Sequence, residues 1–111
     1  MNTTTETNRQ IAETIRQQID RGVFMRLGAR EFAFDGPALR FRIGSGRKKV
    51  VTITLTSDDL YEVRCVTMKG SLKAGTLRAE TVFEEGTDAY GGLFFDMLDD
   101  SLLRLEAEVL A

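Results

Sequence analysis

Apolar residues recur every fourth position at Ile11, Ile15 and Ile19, and Ala12 widens the same stripe. That spacing predicts an amphipathic helix from about Thr5 to Arg21. Thr3 and Glu6 have capping-box spacing, Gly22 is placed as a C-terminal stop, and Met1 to Asn8 are expected to be loose. Val23 to Gly28 is apolar without a clear period, which fits either a short strand or a helical turn leading into a Gly28-Ala29-Arg30 bend. Asp35-Gly36-Pro37 is a strong turn signal, because Gly tolerates positive φ and Pro fixes its own φ and lacks a donor.

After that turn the period switches to two. Leu39, Phe41 and Ile43 alternate with Arg40 and Arg42, and Val51, Ile53 and Leu55 alternate with Thr52 and Thr54, which predicts a β-hairpin. Ser57-Asp58-Asp59 gives the next turn, Tyr61 to Met68 a third strand, and Thr76 to Glu84 a fourth. Loops this short favour antiparallel neighbours. Beyond Gly91-Gly92, Phe94, Leu98, Leu102 and Leu105, widened by Leu93, Phe95 and Met97, predict a helix from about Leu93 to Glu108.

The expected fold is therefore α+β: one domain with a four-stranded antiparallel meander, flanked by an N-terminal and a C-terminal helix packed on one face. Arg40, Arg42, Thr52, Thr54, Glu62, Arg64, Arg78 and Glu80 would then form the wet face of the sheet. A length of 111 residues with 42% hydrophobic content suits a single core, and seven Phe argue against disorder.

Composition narrows the chemistry. A single cysteine, Cys65, and the lack of any histidine leave no internal disulfide, no Cys/His nucleophile pair and no ordinary zinc site. By alternation Cys65 shares a face with Tyr61 and Val63 and is expected to be a small core residue. Neither a membrane-spanning run nor a secretory leader is recognisable, so a cytoplasmic protein without cofactors and without catalysis is expected.

Charge, although near neutral in total, is sorted along the chain. Ala38 to Glu80 carries nine Lys and Arg against four acids, whereas Thr81 to Ala111 carries one Arg against eight acids. Segregation of this kind suits a protein that works by contact. Arg47, Lys48 and Lys49 follow Gly44-Ser45-Gly46 at a hairpin tip, where three cations can reach a phosphate backbone or equally form a solvated turn that discourages edge pairing. The tip is not a P-loop, because a strand rather than a helix follows it.

Together with Arg40, Arg42, Arg64 and Arg78 the tip would make a basic strip able to grip phosphates or carboxylates. The plain alternative is cross-strand pairing with Glu62 and Glu80. Against nucleic acid stand the absence of outward aromatics for base stacking and a pI of about 5.2. At the acidic end, Glu84, Glu85, Asp88, Asp96, Asp99 and Asp100 either imitate a nucleic-acid backbone or simply solvate a helix and loop. Asp96 and Asp100 alone lack the third ligand a hard cation needs.

The stretches Ile15 to Ile19, Gly22 to Phe34 and Ala38 to Val66 resemble a group of small proteins carried by bacteriophages and other bacterial mobile elements. The resemblance rests on the amphipathic helix, the Gly28-Ala29-Arg30 bend, and a hairpin running into Thr56-Ser57-Asp58-Asp59-Leu60-Tyr61. It implies a non-enzymatic inhibitor of a host defence complex, such as a CRISPR effector, acting in the bacterial cytoplasm on a host protein or ribonucleoprotein. The segment from Gly91 to Asp100 departs from the group and marks where this chain's specificity would lie. The other expectations are a nucleic-acid-binding accessory protein using the basic face, and a protein that homodimerises through a strand edge or helix.

Overall fold

The computed structural model describes residues 3–46, 48–87 and 92–110. Its five strands lie in chain order in one antiparallel sheet: β1 Arg30–Phe34, β2 Ala38–Ile43, β3 Lys49–Leu55, β4 Tyr61–Lys69 and β5 Arg78–Glu85. Helices α1 (Thr3–Gln18) and α2 (Arg21–Leu27) precede the sheet, and α3 (Leu98–Leu105) follows it. A 3-10 turn over Phe95–Met97 leads into α3, and a π-helical turn over Glu106–Leu110 ends it. Helix α1 lies across β2 and β1, and α3 across β4.

The α+β class, the antiparallel meander and the flanking helices match the sequence expectation, with a fifth strand added. Leu39, Phe41, Ile43, Val51, Ile53, Tyr61, Val63 and Cys65 are buried on the helix-bearing face, together with Ile15, Ile19, Leu98, Leu102 and Leu105 from above. The alternation in β2 and β3 carries straight into register, with Leu39 opposite Ile53 and Phe41 opposite Val51.

The first helix differs from its expected span. It includes Thr3 to Asn8, which were expected to be loose, and it stops at Gln18 rather than Arg21. Asp20 takes an extended backbone and its side chain accepts a hydrogen bond from the Gly22 N–H at 2.8 Å, so it caps a second helix in which Gly22 is an interior residue. An Asp that satisfies the orphan donors of a following turn favours restarting the helix over continuing it. Gly28, left-handed at φ 67°, closes α2 and donates to Met25 O. Asp20→Ala is expected to lower unfolding free energy by about 0.5–2 kcal/mol in urea titrations.

Strand β1 escaped the pattern because it is bulged. Its pairing jumps between Arg30 opposite Arg42 and Ala33 opposite Arg40, and Glu31 between them sits at φ 56°. The Arg30 side chain holds the junction by donating to the carbonyls of Gly28 at 3.1 Å, of Gly44 at 2.6 Å and of Gly46.

A second bulge, between Cys65 and Val66 of β4, changes which face β5 presents. Cys65 faces Phe83, but Val66 faces Thr81, leaving Val82 as the extra residue. One residue of slip exchanges the two faces of a strand. Arg78 and Glu80, expected on the wet face, instead lie opposite Lys69 and Thr67 on the face that carries the helices, where Glu80 pairs with Lys69 at 3.1 Å.

Candidate protein-docking surface

The basic residues singled out by the sequence do not converge. Arg40, Arg42 and Arg64 share the wet face, but Arg42 meets Glu31 at 3.5 Å and Arg64 meets Glu84 at 3.2 Å. Lys49 has the parity of the core face, opposite Thr67, while Lys48 is exposed at the tip. Arg78 is turned away by the bulge, and Arg47 lies outside the described residues. Cross-strand pairing therefore occupies much of what was expected to be a continuous strip.

The acidic set is likewise divided. Glu84 is engaged by Arg64. Arg104 donates to both Glu85 oxygens at 2.7 and 2.8 Å, and Asp99 Oδ1 accepts from the Asp20 backbone N–H at 2.9 Å. Asp99 thus ties α3 to the α1–α2 junction and belongs to the framework. Asp96 and Asp100 are exposed, and Asp88 lies outside the described residues.

Hydrogen bonds from Arg104 hold the Glu85 carboxyl below the usual carboxylate range, against the opposing effect of its partial burial. A depressed folded-state pKa adds stability above the unfolded value that disappears as pH falls through the folded one. Glu85→Gln is therefore expected to lower the melting temperature near neutral pH, with the gap to the unaltered protein closing below about pH 4. A gap that persists unchanged in acid would refute an ionic origin.

Cys65 is fully buried and its thiol is pushed up to about 11 by burial, which Lys49 only partly offsets. It stays protonated at neutral pH and has the surroundings of a packing residue. Among the described residues, no three acidic, His or Cys side chains cluster to hold a metal ion. Also among them, no helix is long and apolar enough to cross a membrane.

What the structure does assemble is a ridge in the segment expected to be a plain helix. Leu93 is taken into the sheet as a bridge to Tyr61, with N–H···O bonds of 2.8 Å in both directions. Phe94 follows in extended conformation and the 3-10 turn begins at Phe95. This strand-like start shifts the phase of the stripe. Leu98, Leu102 and Leu105 are buried, but Phe94, Phe95 and Met97 are 60%, 58% and 38% exposed.

The ridge is built on fixed supports. Leu93 and Leu98 anchor its two ends in the core, and the Met97 N–H closes on Phe94 O at 2.9 Å. Gly92 is required at its base, since a Cβ there would stand 2.7 Å from Leu60 Cβ and 2.9 Å from Tyr61 O. Asp96 lies within the ridge and Asp100 in the first turn of α3, so the apolar knob is flanked by exposed negative charge.

Reading the pattern as one helix put these three side chains in the core. Apolar residues at 93, 94, 95, 97 and 98 point in more directions than one buried stripe can absorb, and that excess was the available signal. The chain matches no protein-family model, no curated protein and no solved structure.

Proposed function

We propose that this chain is a non-enzymatic binding protein that inhibits a host defence complex, such as a CRISPR effector, by occupying a protein surface on it. The observation that carries the reading is the ridge: Phe94, Phe95 and Met97 exposed on a turn anchored at both ends. Aromatic residues and Met are enriched where proteins dock, and a rigid turn loses little freedom on binding. A single scattered apolar side chain would mean nothing, but three in four consecutive positions form a patch. The partner surface is an apolar cleft with basic residues at its rim, to receive Asp96 and Asp100. Resemblance to mobile-element proteins points to a host complex as its owner, and guide-loaded nucleases carry positively charged channels whose edges would supply the basic rim.

The test is target-DNA cleavage by purified guide-loaded CRISPR effectors of several types, titrated with the protein. Inhibition saturating at a fixed stoichiometry and lost in a Phe94→Ser/Phe95→Ser variant is expected. Undiminished cleavage by every effector would remove the CRISPR-effector assignment.

A further inference from the structure

A groove on the β1 side of the helical layer opens at the edge of the core, away from the ridge. Two adjoining cavities of about 380 and 150 Å³ run between α1, α2 and β1 and share Arg16 and Phe32. The larger is walled by Ile19, Phe24 and Phe32, with Arg16, Arg21 and Met25 at its margin. Phe24 and Phe32 meet edge to face at 5.2 Å, and the Arg16 guanidinium lies 4.0 Å over the Phe32 ring. Met25 is 75% exposed. Among the described residues Arg16 and Arg21 form no ion pair, while Arg9 in the smaller cavity is paired with Glu6 at 3.4 Å.

We propose that this groove receives the Phe94, Phe95 and Met97 ridge of a second copy of the chain, so that copies associate head to tail. The occupant is chosen by complementarity: the larger cavity is aromatic and basic, Glu13 being an acid of the smaller one only, and the ridge is aromatic and acidic. Docking sets Phe94 and Phe95 against Phe24, Phe32 and Met25, and brings Asp96 and Asp100 to Arg21 and to Arg16, whose guanidinium already lies over the Phe32 ring. Stacked aromatics add a geometric preference to the apolar burial, and the charges fix the register. Groove and ridge are different surfaces, so the contact is heterologous and leaves one of each free at the ends. Growth then continues with concentration, unless the rotation closes a ring. The inference rests on the ridge being a contact surface, and it makes self-association a competitor of partner binding.

Sedimentation of the full chain from micromolar to millimolar concentration at low salt tests it. The weight-average mass is expected to rise above the 12.4 kDa of one chain and to fall back as salt is added. Arg16→Glu/Arg21→Glu and Asp96→Lys/Asp100→Lys should each sediment as monomers with unchanged circular dichroism. An equimolar mixture of the two should associate, because each reversed surface then faces its opposite. Met25→Glu, a single change at an exposed position, should also weaken association. A monomer at every concentration, association unaffected by the groove variants, or a mixture that stays monomeric would overturn the proposal. Partner capture that survives when self-association fails would sink this inference alone; self-association that survives without partner capture would sink only the docking function.

Discussion

Phe41→Ala is expected to lower unfolding free energy by about 3–5 kcal/mol, the range for truncating a fully buried aromatic. Phe41 is wholly inaccessible in the middle of β2, and the rings of Phe24 and Phe32 stand 5.4 and 5.3 Å from its own. It therefore joins three elements, α2, β1 and β2, adding to the Val23 and Leu27 anchors of α2 and giving the short strand β1 its main apolar contact through Phe32. A single domain is stable by only about 5–15 kcal/mol, so the loss takes a large part of the whole. Melting should fall by roughly 12–20 °C, taking about 4 °C per kcal/mol for this chain length. Phe32→Ala, at a half-buried neighbour, should cost less. A loss below about 1 kcal/mol for Phe41→Ala would mean that the cluster is not packed as described.

The second large effect is on binding. Phe94→Ser with Phe95→Ser should leave stability within about 1 kcal/mol, since both rings already face solvent. Partner affinity should fall at least about 30-fold, the equivalent of one lost hot spot of 2 kcal/mol. Leu98→Ala, only three residues beyond, should behave in the opposite way. Leu98 is fully buried, so stability should drop by about 2–5 kcal/mol while the variant, where folded, still offers the ridge. Asp96 and Asp100 are the charges to alter when testing the flank. Reversing Asp99 as well would break its bond to the Asp20 N–H and confuse loss of binding with loss of fold.

The contrast between what was and was not legible in the chain has physical causes. Strands β2, β3 and the first half of β4 were readable because one face is dry and one is wet, so burial writes a strict alternation into the residues. Strand β1 was not, because Glu31 at φ 56° inserts a bulge into a five-residue strand and breaks the period. The same effect hid the orientation of β5: alternation from Phe83 puts Arg78 and Glu80 on the wet face, and only the slip at Val82 reverses them. Helix α2 has seven residues, too short for a period to declare itself, although Asp20 and Gly28 are its caps. The ridge was misread because the Leu93 bridge to Tyr61 is a long-range contact that no local spacing reveals. The segregation of charge was plain from composition, yet Glu31, Glu84 and Arg104 neutralise much of it locally once the strands are paired.

The most direct test of the ridge as a docking surface is affinity capture from nuclease-treated bacterial lysate, with the unaltered protein and the Phe94→Ser/Phe95→Ser variant compared by mass spectrometry. A stoichiometric protein partner retained by the first and lost by the second is expected. The same partner held equally by both, or material that disappears with nuclease, would contradict the account.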